Sequence, residues 1–215
     1  MAMPSIRVYH TPFTCSGVVL NALEELGLKY EDTAIDIFTG QQRGTEYLAI
    51  NRKGKVPALR LNDKIFTELP AILWMLNNRY GRLFGDIEAS DALADLIWFA
   101  DTLHGSLRMA FMPQRFTTSD TQGVCRSAGE RLAPVMSAIA QRVATGPYWF
   151  DADWTIVDVY AVWLFGLADR VGIERAGWPD LSGYIDRVMS RPSFQHARAR
   201  EEQALALSGI ILPGS

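Results

Sequence analysis

The sequence predicts an α/β domain followed by an all-α domain, and three observations carry that prediction. The first 80 residues alternate short β-rich segments with helical patterns in the order βαβαββα. After "GRLFGD" the strand signals stop. From residue 89 onward only helical periodicities remain. The expected division is a first domain at 1–80, a linker at 81–88 and a helical domain at 89–215.

Taken in order, "IRVYH" at 6–10 is β-branched and aromatic, the signature of a short strand. Val19, Ala22, Leu23 and Leu26 share one helical face, and Gly27 ends that helix. "KYEDTAID" alternates as a half-buried strand does, and "GQQRGTEYLAIN" reads as a short helix ending near Asn51. "VPALRL" and "KIFTEL" are two strands joined through Asn62-Asp63, a pair suited to a tight hairpin turn. Leu69, Ile72, Leu73, Leu76 and Tyr80 then recur at helical spacing.

The second half predicts helices over 89–111, 121–143, 155–171, 181–190 and 193–207. The segment "TIVDVYAVWLFGLADRVGI" is apolar nearly all round until Asp169, so it belongs at the centre of a bundle. It opens with Thr155 and, three residues on, Asp158, the spacing of a reciprocal N-terminal cap; Asp158 therefore reads as a folding determinant.

Composition excludes several function classes. A net charge of −3 argues against nucleic acid or an anionic membrane as general partners. No apolar run approaches the roughly 20 residues of a membrane helix. The start "MAMPSIRVYH" lacks a signal-peptide pattern, and two cysteines, Cys15 and Cys125, make no disulfide framework. A reducing cytoplasm is the expected location.

Two features point to an anion. Arg52, Lys53 and Lys55 crowd into "NRKGK". In "TPFTCSG", Thr14, Cys15 and Ser16 stand together where a strand turns into a helix. There, unpaired backbone N–H groups and the positive helix end favour negative charge.

Over essentially its whole length the chain resembles the cytosolic glutathione transferase family. The resemblance rests on "TPFTCS", "NRKGKVPAL" and "FTELPAIL", then "TIVDVYAVWL" and "WPDLSGYIDRVMSRPSFQHA", in that order. It implies a thioredoxin-like first domain, an all-helical second domain and a cytoplasmic homodimer active in detoxification. Glutathione would be bound by the first domain and transferred to a mostly apolar electrophile, with no metal. Carried onto these residues, it assigns glutathione to Lys55, Val56, Pro57, Glu68 and Leu69, with Lys53 as a helper. Pro57 would be cis, Glu68 would meet the γ-glutamyl ammonium, and Lys55 the glycyl carboxylate. Leu69 stands where the family commonly has a serine or threonine hydroxyl, leaving its backbone N–H or Thr67 to replace it.

For the sulfur, three roles compete. Cys15 falls at the position of the beta-class catalytic cysteine, as a thiolate neighbour or a mixed-disulfide former. Thr14 is the rival donor, and Ser16 reads as the helix cap. Phe13 and His10 border the turn as electrophile-side candidates. In the helical half, Trp98, His104, Arg108 and Met112 are spaced to share one side with Asp101 and Phe116, with Arg108 the member suited to a polar substrate. The apolar tail "LSGIILPGS" would cover the pocket or dock as structure. The alternatives are a glutathione-dependent thiol reductase or isomerase using Cys15, or a non-enzymatic binding or regulatory protein on the same fold.

Overall fold

The computed structural model describes residues 4–173 and 178–212. One compact unit comprises Met1–Leu83 with Arg191–Ser215, and a second comprises Phe84–Ser190.

In the first unit, β1 (Ile6–His10), α1 (Gly17–Glu25), β2 (Glu31–Ala34), α2 (Thr45–Ile50), β3 (Ala58–Leu61), β4 (Lys64–Thr67) and α3 (Leu69–Tyr80) follow the predicted order. A single helical turn at Gln41–Arg43 precedes α2. The sheet runs β2-β1-β3-β4, with β1 and β2 parallel and the other pairs antiparallel. Its registers align Tyr9 with Ala58 and Ala58 with Thr67, so one row crosses three strands. Val8 and Leu59 from the sheet, Leu20 and Leu23 from α1, and Ile72, Leu73 and Leu76 from α3 form a fully buried core.

The sequence marks one apolar face on α1, yet Val18, Leu20 and Asn21 are buried as well. The cause is α9 (Pro192–Ser208), which packs along α1 within this unit. Arg191 and Ser193 bond the two Glu25 carboxylate oxygens at 2.7 and 2.6 Å, and Arg200 reaches the Tyr30 carbonyl at 2.9 Å. The sequence reading groups residues 193–207 with the helical domain; in the structure they complete the α/β unit.

The second unit holds α4 (Ala89–Trp98), α5 (His104–Phe111), α6 (Thr121–Ala144), α7 (Ile156–Arg170) and α8 (Ser182–Met189). The single helix predicted over 89–111 is interrupted by a π-helical turn at Phe99–Leu103. As predicted for a central helix, α7 buries Ile156 through Val162 without a break. The Thr155–Asp158 capping box is formed. Among the described residues no helix is long and apolar enough to cross a membrane.

Candidate functional site

The row Tyr9–Ala58–Thr67 brings three connecting segments to one end of the first unit's sheet. The turn at 11–16 leaves β1 there, the 51–57 loop enters β3, and Glu68 leaves β4 into α3. Adjacent strands lie about 4.8 Å apart, so the row is about 10 Å long, the scale of a tripeptide.

At the 51–57 loop, the Val56–Pro57 bond is cis, as the resemblance implied. The Lys55 carbonyl accepts the Tyr47 hydroxyl and the Asn51 amide, both at 2.7 Å. Asn51 also accepts the Lys53 N–H at 3.1 Å. Burial pushes the Tyr47 phenol up to about 12, so it remains a donor at neutral pH. Val56 packs on the cluster of Tyr9, Ile35, Tyr47 and Ala58, which anchors the loop while the Lys53 and Lys55 side chains remain exposed.

At α3, the Lys53 ammonium bonds the Glu68 carboxylate at 2.8 Å and the Thr67 hydroxyl at 3.0 Å. Glu68 has φ 69°, a conformation that a non-glycine residue rarely adopts. Leu69 is buried at the first position of α3, and Pro70 follows, where a missing N–H costs nothing. The hydroxyl of the family pattern is thus replaced by a core contact, and the Thr67 hydroxyl stands one residue before Glu68.

In the turn, Ser16 does not cap α1 through its side chain, contrary to expectation. It is fully buried; its Oγ accepts the Thr11 N–H at 3.1 Å and donates to the Thr11 carbonyl at 3.0 Å. The Thr14 hydroxyl lies 2.8 Å from that carbonyl and 2.6 Å from Ser16 Oγ. Thr14 is half-buried, whereas Cys15 is only 8% exposed. Phe13 is left-handed, φ 57°, with the Arg198 guanidinium 4.8 Å above its ring.

The expected substrate contact by His10 is corrected. The side chain is fully buried and its Nε2 lies 3.2 Å from Asp32, so no surface is left to meet a small molecule. The hydrogen bond to His10, then its charge and that of Arg200, hold the Asp32 carboxyl below its ordinary range against its burial.

In the second unit the expected single stripe divides, because the π-helical turn resets the register between α4 and α5. Trp98 packs on Phe99 and Trp149. His104 meets α7, with Nδ1 3.0 Å from the Tyr160 hydroxyl and its ring 4.7 Å from that of Trp163. Arg108 lies 6.0 Å from the exposed Phe116 ring, and Met112 ends α5 half-buried. In the tail Ile210 is buried and Ile211 exposed, and residues 213–215 fall outside the described residues. Among the described residues no three His, Cys, Asp or Glu side chains are grouped to hold a metal.

Sequence reasoning passed over Tyr47, Asn51 and Glu201. Tyr47 reads as an ordinary residue within a short helix and Asn51 as the residue that ends it. Glu201 carried a usable signal, an acid within the small-residue stripe Ser193, Ala197, Ala204 on one helical face.

Residues 14–79 match the family model described as the glutathione S-transferase N-terminal domain. The chain is 26% identical over 196 residues to a maleylacetoacetate isomerase of Pseudomonas aeruginosa, covering 86% of this chain and 91% of the relative. It is 25% identical to the glutathione S-transferase GstA of Escherichia coli O157:H7, covering 91% and 98%. A glutathione transferase homologue from Sulfitobacter, solved with bound glutathione, superposes with a TM-score of 0.83 at 27% identity, covering 92% of this chain and 99% of that one.

Proposed function

We propose that the chain, as a member of the cytosolic glutathione transferase family, binds glutathione at the sheet end of its first unit and transfers it to an electrophile. The observation that carries this reading is the convergence of the Thr14–Cys15 turn, the Pro57 loop and the Lys53–Glu68 pair on one row of the sheet. Glutathione brings an ammonium, two carboxylates and a thiol. Its ammonium exchanges for Lys53 at Glu68, and the released Lys53, with Lys55, meets carboxylate. The Val56 backbone holds the peptide, and Thr67 with the Leu69 N–H takes the γ-glutamyl carboxylate.

The chemistry needed is a thiolate at neutral pH. Lowering the thiol pKa by about 2 units requires about 2.7 kcal/mol of preferential anion binding. The turn before α1 offers the Thr14 hydroxyl and the Cys15 thiol for that purpose, beside the positive end of the helix. The thiolate then attacks the electrophilic carbon; with an aryl chloride the C–S bond forms, the C–Cl bond breaks and chloride leaves with the electron pair. Candidate electrophile contacts are Phe13 in the first unit and, taken by itself, the second unit's Trp98, His104, Arg108 and Met112.

A second reading is glutathione-dependent isomerisation, favoured by the likeness to the Pseudomonas isomerase. Reduction through a Cys15 mixed disulfide is less favoured, because that thiol is buried. The proposed assembly is a cytoplasmic homodimer serving detoxification.

Calorimetry with glutathione, followed by turnover of an aryl chloride, tests the main reading. Glu68→Ala is expected to weaken glutathione binding by roughly 1–3 kcal/mol, the cost of a lost charge-assisted hydrogen bond. Unchanged affinity in this variant removes Glu68 from the site; absence of binding by the parent protein refutes the function.

A further inference from the structure

We propose that Glu201 is a positioning residue for the turn that receives the glutathione sulfur, an assignment that rests on the function proposed above. Glu201 sits on α9 at 8% exposure, and its Oε1 accepts the Phe13 N–H at 2.7 Å. Phe13 is held at φ 57°, a backbone region a bulky residue rarely occupies unless its surroundings enforce it. The same carboxylate lies against the first residue of α1. A Cβ on Gly17 would stand 2.7 Å from Oε1 and 2.9 Å from both Cδ and Oε2.

Three oddities of the sequence thus have one cause. A phenylalanine is left-handed, a helix begins on glycine, and a glutamate lies buried among small residues. Core packing alone requires none of them, since an apolar side chain would suit the stripe of Ser193, Ala197 and Ala204. The carboxylate also sits at the N-terminal end of α1, where negative charge is favoured. On the same helix Arg198 lies over the Phe13 ring and 3.3 Å from Glu202, and Arg200 lies at Tyr30 and 3.6 Å from Asp32.

Glu201 works through the backbone. Fixing the Phe13 peptide fixes the start of the segment whose next members are Thr14 and Cys15. Thr14 then returns its own N–H to the Thr11 carbonyl at 3.3 Å. The direction in which the Thr14 hydroxyl and the Cys15 thiol are presented therefore depends on a residue almost 190 positions away in the sequence.

The test compares Glu201→Ala, Glu201→Gln, Gly17→Ala and the Gly17→Ala/Glu201→Ala double variant. It measures kcat and glutathione KM with an aryl chloride, glutathione affinity by calorimetry, and hydrogen exchange of the peptide spanning 11–17 in the ligand-free protein. Glu201→Ala is expected to lower kcat about tenfold or more with affinity within about threefold, since it disturbs the reacting end and not the binding row. The turn should exchange faster. Gln retains an acceptor oxygen and should stay within about threefold of the parent. Gly17→Ala displaces the carboxylate, so it should reproduce the Ala phenotype, and the double variant should be no worse than Glu201→Ala. Parental kcat and parental exchange in Glu201→Ala overturn the proposal. So does a Gln variant as impaired as Ala. If Glu201→Ala does not fold, Gly17→Ala and Glu201→Gln decide: a parental kcat and exchange in Gly17→Ala overturn the role. If the parent binds no glutathione, the functional reading fails, and exchange in the turn still decides whether Glu201 fixes it.

Discussion

Replacing Asp158 by alanine should destabilise the protein far more than the loss of an ordinary helix cap. The carboxylate accepts from the Trp149 N–H at 2.6 Å and the Tyr184 hydroxyl at 3.0 Å through Oδ1. Through Oδ2 it accepts from the Thr155 N–H at 2.8 Å, with the Thr155 hydroxyl at 3.4 Å. Trp149, Thr155 and Tyr184 are all buried, so alanine leaves at least three buried donors without their acceptor. A stranded buried donor costs about 1–3 kcal/mol, which sets an upper limit near 9 kcal/mol if none relaxes. Two effects reduce that figure. Alanine opens room for a bridging water. It also removes the desolvation that pushes the Asp158 carboxyl above its ordinary range despite four hydrogen bonds. A net loss of about 3 kcal/mol remains, and for a chain of this size it lowers Tm by about 6–12 °C. Asp158→Asn keeps one acceptor oxygen and should lose about half as much. Thermal denaturation followed by circular dichroism measures both. An alanine variant melting within about 2 °C of the parent would refute the accounting. Parental melting with lost turnover would move Asp158 from folding to chemistry.

Further outcomes follow from the first unit. Thr14→Ala should shift the pH profile of conjugation toward higher pH with glutathione affinity little changed, because a donor to the thiolate is lost; mass spectrometry after oxidised glutathione separately tests Cys15, whose burial predicts little adduct. Asn51→Ala removes a bond to the Lys55 carbonyl and the acceptor for the Lys53 N–H, and calorimetry should find glutathione affinity lowered about five- to tenfold, roughly 1 kcal/mol or slightly more. Asp32 has a depressed folded pKa, so its stabilisation is fully present above its unfolded value of about 3.9 and is lost as pH falls through the lower folded value. Asp32→Asn should therefore flatten the acid limb of a Tm–pH curve below about pH 4; an unaltered limb would mean that other carboxylates set it.

The strand–helix order was legible because each element of the first unit has its own periodicity and its own stop. So was the cap of α7, since Thr155 and Asp158 are local partners at fixed spacing. What sequence could not reveal was non-local. The burial of α1 on both sides follows from α9, more than 160 residues later along the chain, as the Glu25 contacts show. His10 sits at a strand end, which leaves its side chain free to face solvent or core until Asp32, itself paired with Arg200, is placed beside it. The stripe from Trp98 to Met112 assumed an unbroken helix, and the extra residue of a π-helical turn carries no pattern of its own. The ion pair of Lys53 with Glu68 joins two residues whose loops meet only through the register of β3 and β4.

Why the opening turn carries two hydroxyls beside its thiol follows from counting hydrogens. The Thr11 carbonyl is approached by the Thr14 N–H, the Thr14 hydroxyl and the Ser16 hydroxyl. Each hydroxyl has one hydrogen to give. If Thr14 turns its hydrogen toward a thiolate, the carbonyl still keeps Ser16 and the Thr14 N–H. No buried acceptor is stranded, and the exchange costs little. Ser16 has no such freedom: it is fully buried, and its oxygen also satisfies the Thr11 N–H. The two hydroxyls are therefore not duplicates. Ser16 completes the turn internally, so the Thr14 hydrogen can turn away without leaving the Thr11 carbonyl bare. Ser16→Ala should accordingly damage the site more than its distance from the solvent suggests. It strands the Thr11 N–H and leaves the carbonyl with only the Thr14 N–H, at 3.3 Å, whenever the Thr14 hydroxyl turns away, so conjugation should slow even where glutathione still binds. Conjugation at the parental rate in a folded Ser16→Ala protein would show that Ser16 gives the Thr14 hydroxyl no support.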